Sequence, residues 1–211
     1  MNERILSMLN GVSGYGKSYF AKNKLIPVLA KIAPVIIFDK NSEYAGKNKK
    51  DVPKNAGWKS YSSIFSFLKK NADSQSFGGV HVIECTHTHD YTHGINFFYA
   101  LKLPVTLIID EGHFIFDEPE LKNLAAVIKN IARFGRHSGL GLVMISQRSM
   151  DIPPDVRSQF DSVISFHQTE PADVQHLKKR GFKDAEKILE FDRRKYQIFG
   201  DMNESLKKML K

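Results

Sequence analysis

Short runs of aliphatic and β-branched residues punctuate the chain at Ile5–Leu9, Val35–Phe38, Val80–Ile83, Val105–Ile109, Leu140–Ile145 and Ser162–Phe166. Each run is apolar at most of its positions, without strict alternation, so each predicts a strand covered on both faces, as in a parallel sheet. Between the runs the spacing becomes helical, most clearly over Glu118–Phe134, where Leu121, Leu124, Ala125, Ile128, Ile131 and Ala132 recur at three and four. Strand alternating with helix predicts an α/β fold with a mainly parallel central sheet flanked by helices. Tyr196–Phe199 predicts an edge strand, and Asn203–Lys211 a terminal amphipathic helix. Ala45–Ser60 breaks the pattern with Lys47, Lys49, Lys50, Lys54 and Lys59, Gly, Pro and the only tryptophan, Trp58, and reads as a basic surface excursion. No internal repeat or low-complexity tract divides the chain, so residues 1–211 are expected to form one domain, with a core over about 5–200 and a helical tail at 201–211.

A length of 211 residues with 42% hydrophobic content suits a single well-buried core. One cysteine, Cys85, makes an internal disulfide impossible and fits a reducing compartment. Asn2-Glu3-Arg4 runs straight into a strand-length apolar segment, and no stretch approaches the ~20 apolar residues of a membrane span. The expectation is a protein that is not secreted and has no transmembrane segment of its own. With 31 Lys and Arg against 23 Asp and Glu, the net charge of +8 biases the chain toward polyanions.

The chemistry enters at Gly11-Val12-Ser13-Gly14-Tyr15-Gly16-Lys17-Ser18, which fits G-x-x-x-x-G-K-S/T at every fixed position, directly after the first strand-like run. Glycines let successive N–H groups curl around a phosphate, Lys17 neutralises its oxygens, and the Ser18 hydroxyl suits Mg²⁺. Phosphate then lies at the start of the helix that Ser18 and Tyr19 enter. A second signal is Asp110-Glu111 at the end of the fourth apolar run, where open α/β sheets present ligand-binding residues. Asp110 is the candidate metal carboxylate and Glu111 the candidate base for an attacking water. The next strand ends in Gln147, placed to touch a γ-phosphate, and is preceded by Arg133-Phe134-Gly135-Arg136-His137-Ser138-Gly139, whose glycines turn a guanidinium outward. His81, His87, His89 and His93 near Cys85 fit no common structural zinc spacing and read as strand and polar loop.

Taken together, GVSGYGKS, the stretch FDKNSEY (Phe38–Tyr44), LIIDE, the block FGRHSGLGLVMISQR (Phe134–Arg148) and Ile152-Pro153-Pro154 leading to Phe160–Phe166 resemble the FtsK-HerA superfamily of ring-shaped DNA-pumping ATPases. The resemblance implies a RecA-like P-loop NTPase of the ASCE type, with ATP and Mg²⁺ as cofactors. It implies Arg136, with Arg133 as second candidate, as an arginine acting in trans on a neighbour's γ-phosphate, and Gln147 as the γ-phosphate sensor. A homo-oligomeric ring, expected as a hexamer, and double-stranded DNA follow as partners. The compact chain is most similar to genome-packaging ATPases of tailless icosahedral viruses, which implies a location in host cytoplasm or virion and a capsid vertex or portal-like membrane protein as a further partner. Other HerA/FtsK-type pumps and filamentous-phage assembly ATPases are the related alternatives. A small-molecule P-loop kinase is the alternative of another class, disfavoured by Glu111 and Gln147. Lys40-Asn41-Ser42 departs from the family, where Pro or His and Gly are more usual. Pore-facing cations for DNA phosphates are sought at Lys47, Lys49, Lys50, Lys178, Lys179 and Arg180.

Overall fold

The computed structural model describes residues 4–45, 51–53, 56–71, 77–202 and 204–210. Its centre is an eight-stranded sheet built from β1 (Leu6–Asn10), β2 (Val35–Asp39), β3 (Lys59–Tyr61), β4 (Val80–Glu84), β5 (Thr106–Ile109), β6 (Gly141–Ser146), β7 (Ser162–Ser165) and β8 (Gln197–Gly200), in the order β3-β4-β2-β5-β6-β1-β7-β8. All neighbours run parallel except β8, which pairs antiparallel with β7, Val163 opposite Phe199.

The apolar runs are explained by two cores, one on each face. Along β1, β2, β5 and β6 alternate side chains diverge: Met8, Ile36, Leu107 and Leu142 enter one core, and Leu9, Ile37, Ile108 and Val143 the other. The first core is closed by α3 (Ile64–Asn71), α4 (Thr88–Leu101), α6 (Lys122–Phe134) and α8 (Pro171–Lys179). The second is closed by α1 (Lys17–Phe20), a π-type segment Ala21–Leu25, α2 (Ile26–Leu29) and the terminal helix Glu204–Leu210. Phe98 is fully buried among Phe67, Phe77 and Phe97, so Phe97 and Phe98 serve packing, while the adjacent Tyr99 is exposed.

Three features differ from the sequence pattern. The 118–134 segment opens as a single 3₁₀ turn at Pro119–Leu121, and α6 begins only at Lys122, because the proline ring favours a first-turn position over continuation from Glu118. The basic excursion ends in β3, a three-residue edge strand beside β4, and Trp58 packs against the second core. Finally, Asp39 belongs to β2 itself, so the FDKNSEY stretch begins inside the sheet. No helix among the described residues is long and apolar enough to cross a membrane.

Candidate nucleotide-binding site

β1 ends between β6 and β7, and the loop that leaves it is held by both: Gly11 N–H donates to the Gln147 carbonyl at 3.0 Å and Val12 N–H to the His167 carbonyl at 2.9 Å. Gly11 takes φ +147°, and a Cβ there would come within 2.5 Å of the Phe166 Cβ, so only glycine fits. Gly14 and Gly16 turn the loop at φ +81° and +101°, and the helix starts at Lys17. Tyr15 stacks on the His167 ring at 4.4 Å, fixing the loop from outside. Lys17 is buried, and its ammonium donates to the carbonyls of Gly11 at 2.5 Å and Val12 at 3.3 Å. Burial lowers the Lys17 pKa, while the carboxylates of Glu111, Asp110 and Glu43 oppose the shift.

Asp110 follows β5 and is 4% exposed, its N–H bonded to the Phe38 carbonyl at 3.1 Å. Burial first, then the neighbouring charges of Glu111, Asp39 and Glu43, push its carboxyl well above the ordinary carboxylate range. Glu111 adopts φ +50°, and the next residue, Gly112, donates to the Ile145 carbonyl at 2.7 Å, which ties the acidic turn to β6. Glu111 Oε2 lies 3.4 Å from His113 Nδ1, near enough for charge attraction yet outside hydrogen-bond geometry, so this buried oxygen has no hydrogen-bond partner among the described residues. A crowded acidic cluster with an unsatisfied buried oxygen fits a cation, and the hydroxyl of Ser18 with the carboxylate of Asp110 are the hard oxygen donors Mg²⁺ prefers. Gln147 places an exposed side chain on the same cleft, which encloses about 320 Å³ between Ser13, Lys17, Ser18, Asp110, Glu111 and Gln147.

The structure also gives a place to residues for which the sequence assigned no role, some within the FDKNSEY stretch and some outside every motif. Because β2 lies beside β5, its C-terminal acids fall next to Asp110. The Asp39 carboxylate accepts the N–H groups of Glu43 at 3.0 Å and Tyr44 at 2.8 Å, curling the loop so that Glu43 reaches the cleft and the Tyr44 hydroxyl faces Asp110 Oδ1 at 3.5 Å. The unusual Lys40-Asn41-Ser42 sits outside these contacts, so Asp39, Glu43 and Tyr44 keep their geometry despite it. Asp51, Arg193 and Arg194 also line the cleft. No local signal marks them, because strand order and the 192–195 turn bring them in.

Other predicted residues lie elsewhere. Arg133, exposed in the last turn of α6, and the Gly135–Ser138 turn that carries Arg136 precede β6, so they stand at the opposite edge of the sheet from the phosphate loop. The six residues of β6 put about 20 Å between the two edges, at ~3.3 Å per residue. Arg133 and the backbone of the Gly135–Ser138 turn therefore lie away from their own chain's cleft. Arg4 donates to the Ile131 and Ala132 carbonyls, both at 3.0 Å, and so holds the end of α6 just ahead of that turn. Lys47, Lys49 and Lys50 lie outside the described residues. Lys178 pairs with Glu186 at 3.0 Å, and Arg180 donates to the Phe160 carbonyl at 2.5 Å and packs on Phe182, so its guanidinium is engaged inside the chain, while Lys179 is exposed. His81 is buried beside Tyr61 Oη at 3.1 Å, and His89 and His93 surround the exposed Phe65 ring.

A parallel sheet with a glycine-rich loop after its central strand, a buried lysine and a flanking acid pair defines a P-loop nucleoside triphosphatase. No protein-family model matches the chain. Among solved structures it is similar to the genome packaging NTPase B204 from Sulfolobus turreted icosahedral virus 2, in complex with AMPPCP (26% identity, TM-score 0.65, 93% of this chain and 92% of that one). It is also similar to B204, the DNA-packaging ATPase from Sulfolobus turreted icosahedral virus (22% identity, TM-score 0.69, 95% and 94%). In sequence it is 31% identical over 91 residues to the DNA double-strand break repair helicase HerA of Sulfurisphaera tokodaii, 43% of this chain and 18% of that protein. The chain thus spans under a fifth of the length of the HerA proteins it matches. In sequence the chain is similar to P-loop ATPases of the HerA type, and in fold, over nearly its whole length, to the viral packaging ATPase B204.

Proposed function

We propose that this protein hydrolyses ATP to move double-stranded DNA, as a genome-packaging motor that pumps DNA into a preformed capsid. The observation that carries the hydrolytic part is the pair Asp110-Glu111 set across one cleft from Lys17, Ser18 and Gln147. Lys17 and the loop N–H groups hold the β- and γ-phosphates, and Ser18 with Asp110 holds Mg²⁺, which neutralises developing phosphate charge. Glu111 takes the proton of the attacking water, and Gln147 contacts the γ-phosphate and that water. Arg136, or Arg133 beside it, works on the next subunit's nucleotide. Their place at the sheet edge away from the phosphate loop supports action between subunits of a ring, taken as a hexamer. The near-full-length likeness to B204 supports packaging. The sequence matches to HerA favour a second reading, a DNA pump of the repair-helicase kind.

The test is ATP hydrolysis with and without double-stranded DNA while Arg136→Ala protein is titrated into wild type. DNA is expected to raise turnover several-fold, and mixed samples to fall below the activity of the wild-type fraction alone. Turnover indifferent to DNA and linear in wild-type fraction would sink the ring-motor reading. Phosphate transfer to a small acceptor in place of water would establish the kinase.

A further inference from the structure

The segment that leaves β7 grips both walls of the phosphate cleft. Toward the phosphate loop, the His167 carbonyl accepts the Val12 N–H at 2.9 Å, and the His167 ring stacks on Tyr15. Toward the end of β6, the Gln168 side-chain Nε2 donates at 3.3 Å to the Gln147 carbonyl, the same oxygen that accepts the Gly11 N–H. Three residues further on, Pro171 opens α8 and puts Asp173 in its first turn, where the positive end of the helix dipole favours a carboxylate.

Asp173 is 1% exposed and lies outside the lining of the cleft. One of its oxygens accepts Arg148 Nε at 3.1 Å, and the other accepts the Ser149 hydroxyl at 3.0 Å and the Met150 N–H at 3.2 Å. The Ser146 hydroxyl closes the same turn on the Arg148 carbonyl at 3.0 Å. A buried charge is costly unless its hydrogen bonds are made, and here all three donors come from the residues directly after Gln147. The backbone on either side of Gln147 is thus pinned, while its own side chain stays exposed.

We propose that Asp173 is a positioning residue for Gln147: it sets where the backbone of that glutamine stands relative to the phosphate loop, and neither binds nucleotide nor moves a proton. The bond from Gly11 to the Gln147 carbonyl fixes one side of this spacing. The carboxylate of Asp173 fixes the other, by stopping the exit of β6 from turning away. Placement matters because a displacement of about 1 Å at such a contact costs up to about a hundredfold in rate. The inference rests on the reading of Gln147 as the γ-phosphate contact.

The test is a double-mutant cycle. Asp173→Asn keeps the shape of the side chain and removes the acceptor that faces Arg148, and Arg148→Gln removes the donor from a partly exposed side chain. For both, for Gln147→Ala and for Gln147→Ala with Asp173→Asn, kcat and KM for ATP are measured by phosphate release. Rates are normalised to the ADP sites counted by calorimetry, and the melting temperature checks folding. Asp173→Asn and Arg148→Gln are each expected to lower kcat about tenfold with KM within about twofold of wild type. On the Gln147→Ala background, Asp173→Asn is expected to change kcat by less than about twofold, since a residue acting through Gln147 has nothing left to act on. The same tenfold loss on that background would show Asp173 acting on the fold at large and overturn the proposal. A kcat within twofold of wild type in Asp173→Asn and Arg148→Gln would overturn it as well. If Asp173→Asn does not melt cooperatively, Arg148→Gln is carried through the same cycle. A Gln147→Ala protein that hydrolyses ATP at the wild-type rate overturns the sensor reading and the proposal with it, a result seen in a chain whose residue 173 is untouched.

Discussion

At φ +50° Glu111 holds a backbone conformation that costs a non-glycine residue about 1 kcal/mol or more, and it keeps a buried carboxylate oxygen without a hydrogen bond. Both costs fall on one residue, directly beside Asp110, the proposed metal carboxylate, as expected of a group kept for chemistry and not for stability. Glu111→Gln preserves size and backbone while removing the base. It is expected to bind ATP as wild type does and to hydrolyse it at least 100-fold more slowly, as measured by calorimetry and phosphate release, and a rate within twofold of wild type removes Glu111 from the mechanism. Lys17, Ser18, Asp110, Glu111 and Gln147 were legible in the sequence because each sits in a contiguous motif or at the end of an apolar strand. Glu43 and Tyr44 lay in a stretch singled out by resemblance but given no role, and Arg194 in no motif, since their place in the site comes from which elements lie beside which, and adjacency in space leaves no mark on adjacency in sequence.

Among the elements, α6 illustrates how a surface helix is aimed. Its hydrophobic stripe, Leu124, Ile128 and Ile131, seats it on the sheet, and the two carbonyl hydrogen bonds from Arg4 fix its last turn. The Ile131 carbonyl also accepts the Gly135 N–H that closes the helix, and a cation there meets the negative end of the helix dipole. Arg4→Ala is expected to lower stability by about 1–3 kcal/mol in urea denaturation, and an unchanged midpoint would mean that water replaces the guanidinium at no cost. The stripe of α6 was readable from its period, and the doubly buried strands from their apolar runs. β3 was not: Lys-Ser-Tyr is too short and too polar to show a period, and pairing with β4 creates the strand. The parallel strands follow from alternation with helices, but no helical segment or period marks the reversal of β8, whose Gly200 packs so closely that an added Cβ would fall 2.3 Å from the Asp161 carbonyl.

For the whole molecule, the strand order β5-β6-β1-β7 places the earliest strand of the chain between two of the latest. The phosphate loop therefore donates its first two fixed hydrogen bonds to the carbonyls of Gln147 and His167, well over a hundred residues downstream. In the order of translation this is a long delay: at 5–20 residues per second the ribosome needs roughly 10–30 s to pass from Gly11 to His167. Stalled nascent chains exposing only residues up to Phe134 contain the loop and the acid pair but neither partner strand. They are expected not to crosslink a photoreactive ATP analogue, whereas the fully exposed chain does; equal labelling would show that the loop closes locally. The first motif to leave the ribosome is thus among the last to become competent, and capture of nucleotide doubles as the molecule's own signal that its synthesis has reached the far side of the sheet.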